Sequence, residues 1–238
     1  INSKKNDDGF LASSTVTYTP EFTYHGFRYV EAYCSPIDDC PKYFEYLELE
    51  ANVVHTNLPK NGKITINNTV KGTTSNTHDI LNKIYSLVIQ AQTSNLWSIP
   101  TDCPQREKRG WMGDAHMTSK QNLYNHHALE FYTNFIRNIA DNQLETCSSV
   151  PVRIFNDSAK CHDPNLNTNG SVPDVSPYFS PPYGDFPGSL VWASGIIVIP
   201  YNLLNHYGEL AIPMIRNNWK NMVDFMNYLL RQKDPISG

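Results

Sequence analysis

Between Thr101 and Asp114 the chain reads Thr-Asp-Cys-Pro-Gln-Arg-Glu-Lys-Arg-Gly-Trp-Met-Gly-Asp. Three carboxylates (Asp102, Glu107 and Asp114) and three cations (Arg106, Lys108 and Arg109) thus stand around Trp111. Cleavage of a glycosidic bond uses such a set: a carboxylic acid protonates the leaving oxygen, further carboxylates hold sugar hydroxyls, and an apolar plate lies against the ring. The bland alternative is a surface loop laced with ion pairs, each worth little to stability. Residue types alone do not decide against that alternative. The stretch from Asn95 to Thr118, broken by Pro100, Pro104, Gly110 and Gly113, exceeds the roughly 12–15 residues beyond which loops in compact domains are usually functional or disordered. It is also too aromatic, and too densely charged with both signs, to be a linker.

Other chemistry-bearing residues carry less. His126 and His127 are adjacent, so on a helix they point about 100° apart and do not chelate one metal easily. Cys103 has no histidine near it in sequence and reads as a small packed side chain rather than a nucleophile. Asp174, after Pro173, suits a turn as well as a sugar contact, and His25 reads as structural.

The elements that must position the loop change character along the chain. Residues 15–69 carry short β-rich runs such as Phe27-Arg-Tyr-Val-Glu31, Val53-Val-His-Thr56 and Ile64-Thr-Ile66, separated by turn signals including Lys60-Asn-Gly62. That pattern predicts antiparallel strands. After Gly72 the period becomes helical. Thr77 can cap a helix with Ile80, Leu81, Ile84, Leu87, Val88 and Ala91 on one face. A second helix is expected over residues 119–140, a third over 190–206 ending at Gly208, and a fourth opening near Pro213.

The 238 residues are 40% hydrophobic and 18% charged, a globular composition for one or two domains. A formal charge of −4 leaves no footprint for a polyanion, which argues against nucleic acid. The apolar run at Gly195–Pro200 is far short of the roughly 20 residues of a membrane span. Five cysteines make an odd count. Local pairs Cys34–Cys40 and Cys147–Cys161 with Cys103 left over are one of several connectivities. With the sequons at Asn67, Asn156 and Asn169, this leaves the compartment open, leaning to a secreted or lumenal setting.

The segment Asn95–Ala115, with Asp-Cys-Pro-Gln-Arg, an acidic residue and then Gly-Trp-Met-Gly-Asp, closely resembles the signature of α-L-rhamnosidases of glycoside hydrolase family 78. Phe22–Glu31 and Val53–Leu58 upstream, and Gly170–Pro177, Trp192, Ile199-Pro-Tyr201 and Tyr207-Gly208 downstream, are similar to that family in order and spacing. The resemblance implies a partial antiparallel β-sandwich (residues 1–72) followed by an incomplete (α/α)6 barrel (residues 73–238). It implies inverting hydrolysis of terminal α-L-rhamnosides, with Glu107 as general acid. Asp102 and Asp114 would hold rhamnose hydroxyls, and Arg106, Trp111 and Trp192 would line the sugar subsite. Neither metal nor organic cofactor is implied, and the partner is a rhamnose-containing carbohydrate.

A free Glu has a pKa near 4.3, whereas a general acid working near neutrality needs roughly 6–7. Glu107 is therefore expected to be partly buried against Trp111 or near another carboxylate, with Arg106 turned elsewhere. The sequence also departs from the family. Ala193 and Ser194 follow Trp192 where the family has a small residue and an Asp. The family's general base lies well downstream, and about four helices stand here where the barrel has twelve. A non-catalytic carbohydrate-binding protein, or an inactive remnant, is thus the rival reading. A six-hairpin glycosidase for another sugar is a third.

Overall fold

A computed structural model describes residues 17–33, 47–67, 77–143, 168–178 and 187–232. The expected cysteine pairs, and the sequon at Asn156, lie outside them. Helix α1 spans Thr77–Ser94, with Asp79 in its first turn complementing the helix dipole. It ends where side chains compete for its carbonyls: Thr93 Oγ1 donates to Ile89 O at 2.8 Å and Asn95 Nδ2 to Ala91 O at 3.1 Å. A tight antiparallel pair follows, β1 (Leu96–Trp97) and β2 (Ile99–Pro100), turning at Ser98 with φ +55°. The site loop then leads into α2 (Met112–Asn125) and α3 (Leu129–Asp141). After the second long loop come α4 (Leu190–Ala193), α5 (Gly195–Tyr207), a 3-10 turn (Gly208–Ala211), α6 (Ile212–Asn217) and α7 (Trp219–Arg231). No described helix is long and apolar enough to cross a membrane.

The core lies among α2, α3, α5 and α7. Met112, Leu123, Tyr132, Phe135, Ile136, Ile139, Ile196, Ile199, Leu203 and Phe225 are all fully or almost fully buried there. Helix α3 is the clearest case of periodicity becoming packing, because Phe131, Tyr132, Phe135, Ile136 and Ile139 share one face and are all buried.

Two expectations about the helices need correction. The single helix over 119–140 is two helices, and it begins earlier, at Met112. His126 is extended (φ −135°, ψ 147°), and the break is pinned by long-range bonds: Lys60 bridges His126, His127 N donates to Pro59 O at 2.7 Å, and Ala128 N donates to Tyr207 Oη at 2.9 Å. The third and fourth expected helices are likewise each interrupted by one residue, Ser194 and Asn218. The β-sandwich expected over residues 1–72 is not confirmed among the described residues. Residues 17–33 and 47–67 form no ladder with each other, and Phe27, Tyr29, Val53, Val54 and Ile64 are exposed. Strands need a neighbour for their N–H and C=O groups, and the described segments do not supply one. Residues 56–61 lie instead along the helical part, where Thr56 N donates to Leu96 O and Asn61 N to Asn125 O.

Candidate active site

The site loop, residues 101–111, folds on itself before α2 begins. Asp102 N donates to Arg109 O at 3.0 Å while Arg109 N donates back to Asp102 Oδ1 at 2.9 Å. Lys108, at φ +55°, closes the inner turn with its N–H on Cys103 O at 3.1 Å. Gly110 allows the loop to meet the second long loop. Ser176 N donates to its carbonyl at 2.9 Å, and a Cβ at Gly110 would stand 1.9 Å from Ser176 O, so no other residue fits without moving that backbone. Trp111 then bridges Val175, and Met112 N donates to Asp174 O.

Glu107 is 20% exposed in its side chain and both its oxygens are engaged. Trp111 Nε1 donates to Oε2 at 2.7 Å, and the Arg106 guanidinium sits 2.5 Å from Oε1. The expected burial beside Trp111 is therefore present. The expectation that Arg106 turns elsewhere is not met: Arg106, 77% exposed, points at its neighbour, and that pairing raises its own pKa further. Asp114 enters through the first turn of α2, exposed at residue level. Its carboxyl is pushed above the ordinary value chiefly by lost hydration, with repulsion from Asp102 and Glu107 adding to it. The three carboxylates are thus electrostatic neighbours.

Trp192 reaches this group from α4. Its ring meets Trp111 edge to face at 6.4 Å, and a Cβ on Gly113 would come within 2.8 Å of its indole nitrogen. That nitrogen is buried and makes no hydrogen bond to any described residue. The fold therefore brings Asp102, Arg106, Glu107, Trp111, Asp114 and Trp192 to one place.

Asp174 does not join them. It is buried, and its Oδ1 accepts from Ser189 N at 2.8 Å just ahead of α4, which is a structural use. His126 is buried and bonded to Asn122 Oδ1, while His127 packs on Tyr207. His25 is exposed.

Two contributors escaped the sequence reading. Tyr24 stacks on Trp97 at 4.5 Å beneath Lys108, whose ammonium lies 5.0 Å from the Tyr24 ring and donates to the Tyr24 carbonyl. Only the aromatic density around Tyr24 hinted at this wall. The other is Cys103, whose Sγ lies 2.8 Å from Asp102 Oδ2. Ligand atoms of Asp102, Cys103 and Glu107 lie within 4.8 Å of one another, close enough for a metal ion. Their hydrogen bonds to each other, to Trp111 and to Arg106 already account for the clustering.

A helical scaffold thus brings carboxylates of one loop and helix start together with a tryptophan from that loop and another from α4, an arrangement suited to the chemistry of the glycoside hydrolase class. The family model of the bacterial alpha-L-rhamnosidase six-hairpin glycosidase domain matches residues 69–237. The chain belongs to that family. An alpha-L-rhamnosidase of Formosa agariphila is 25% identical over 99% of this chain and 21% of its own length. The solved alpha-L-rhamnosidase of Dictyoglumus thermophilum superposes with a TM-score of 0.57 at 28% identity, over 76% of this chain and 16% of that one. The Streptomyces avermitilis alpha-L-rhamnosidase, solved in complex with L-rhamnose, shares the fold at 22% identity and a TM-score of 0.51, over 65% of this chain and 12% of that one. The chain spans about a fifth of the length of the curated relatives it matches.

Proposed function

We propose that the chain forms the acid side of an inverting α-L-rhamnosidase site acting on terminal α-L-rhamnose in glycans, glycolipids or plant glycosides. Glu107 is the general acid that protonates the glycosidic oxygen. Asp102 and Asp114 hold sugar hydroxyls, Trp111 and Trp192 bound the ring, and Arg106 lines the entrance. The observation that carries this reading is the seat of Glu107: mostly buried, bonded to Trp111 Nε1 at 2.7 Å, and close to two further carboxylates. To act as an acid, Glu107 must carry a proton on one oxygen, so Arg106 has to leave Oε1. Its exposure lets it do so when a sugar displaces it.

Inversion needs a second carboxylate about 6.5–9.5 Å from the acid to activate water. We place that base in a longer polypeptide of which residues 1–72 would end a β-sandwich and residues 73–238 would begin an (α/α)6 domain. The reaction is acid–base displacement by water and calls for no cofactor.

The Arg106–Glu107 pair favours one alternative, a carbohydrate-binding protein without turnover, because a carboxylate kept in an ion pair binds hydroxyls but donates no proton. Kinetics of the full reading-frame product on p-nitrophenyl α-L-rhamnoside separates the two. Hydrolysis that falls about 10²–10⁴-fold in Glu107→Gln, with an unchanged circular dichroism spectrum, is the expected result. Full activity in that variant would remove Glu107 from the acid role. Saturable L-rhamnose binding without hydrolysis would favour the binding protein, and turnover of another nitrophenyl glycoside instead would change the sugar.

A further inference from the structure

Cys103 stands between the two carboxylates to which the proposed reaction gives different work. Its sulfur lies 2.8 Å from Asp102 Oδ2 and 3.2 Å from the backbone nitrogen of Glu107. A thiol has one proton to give and lone pairs to accept with. The S–H therefore donates to the Asp102 carboxylate while the sulfur accepts the Glu107 N–H. The carbonyl of the same cysteine accepts from Lys108 N, so side chain and backbone of residue 103 together close the turn that carries the acid. On its other side Asp102 is fixed by Arg109 N on Oδ1. Cys103 is half-buried and is in no disulfide.

We propose that Cys103 is a positioning residue: its thiol fixes the Asp102 carboxylate relative to the peptide of Glu107, and so sets the distance between the sugar-holding group and the acid. The inference rests on the reading of Glu107 and Asp102 given above. Orientation supplies a large part of enzymatic rate, and small displacements of reacting groups are expensive. A cysteine suits the place because its thiol both donates and accepts from one Cβ, as a serine hydroxyl also does, whereas alanine does neither.

Two measurements test it. In the full reading-frame product, Cys103→Ala should lower kcat on p-nitrophenyl α-L-rhamnoside about tenfold or more, the effect of one hydrogen bond to a charged group. Cys103→Ser, which keeps a donor and an acceptor, should recover most of that loss. A merely space-filling cysteine would instead show serine no better than alanine, or both at wild-type rates, and either result overturns the proposal. Infrared difference spectra on the present chain, wild type minus Cys103→Ser, should show an S–H stretch lowered by bonding to the carboxylate. That band should move toward the free-thiol position in Asp102→Asn. A band indifferent to residue 102 overturns the thiol–carboxylate contact whatever the activity. A wild-type product without rhamnosidase activity overturns the functional reading, and the infrared result then decides the contact alone.

Discussion

Asp114 is a carboxylate whose surroundings disfavour its charged form. Its pKa is raised, chiefly by lost hydration, against the opposing pull of a backbone bond within the first turn of α2. A carboxyl whose folded pKa lies above its unfolded value of about 3.9 favours the folded state most at low pH, and that advantage is lost as pH rises through the folded value. Asp114→Asn should therefore melt slightly higher than wild type at pH 7, and the two melting curves should converge below about pH 4. Thermal unfolding across that range measures it. A variant that melts lower at pH 7 and no differently at pH 3 would refute the desolvation argument. That Asp102, Glu107, Asp114 and Trp111 stand close together was legible in sequence, since they fall within one short stretch, whereas the approach of Trp192 from α4 was not. Nor was the pairing of side chains within the site. The rotamer that turns Arg106 onto Glu107 is set by the folded loop, and no residue type dictates it.

Helices α1 and α3 have comparable apolar stripes and opposite fates. In α3 the stripe is the core, whereas in α1 Ile80, Leu81, Ile84, Leu87 and Val88 are all exposed and no residue is buried. Helix α1 attaches by its other face: Asn82 exchanges two hydrogen bonds with the backbone of Ile66, and Tyr85 Oη donates to Asn125 Oδ1 at 3.0 Å. Replacing Ile84 (51% exposed) and Leu87 (55% exposed) with Glu should thus leave the stability of this chain within about 0.5 kcal/mol per site. Phe135→Ala should cost about 3–5 kcal/mol. Denaturant titration compares them, and a loss above about 2 kcal/mol in the Glu pair would show that the α1 stripe is covered after all. Periodicity finds an amphipathic helix but does not say what lies against it, and the same limit applies to the first seventy residues. Their alternation describes strands, while pairing is a property of the neighbours. The break at residues 126–128 was invisible for the same reason, because Pro59, Lys60 and Tyr207 impose it from a distance.

At the scale of the whole molecule, five apolar side chains stand exposed along one helix, α1, and contiguous apolar surface of that kind marks a place where something else packs. The chain also covers only about a fifth of the length of its curated relatives, and in the proposed longer polypeptide further helices of the six-hairpin domain would adjoin α1. The same two substitutions then become a test of that proposal. In the full reading-frame product Ile84→Glu with Leu87→Glu should destabilise by several kcal/mol, because burying two unpaired carboxylates costs more than losing two aliphatic contacts. Binding of a hydrophobic dye should be strong for the 238-residue chain, weak for the longer product, and restored in the longer product by the substitutions. Equal tolerance in both contexts would mean that α1 faces solvent in the complete protein too.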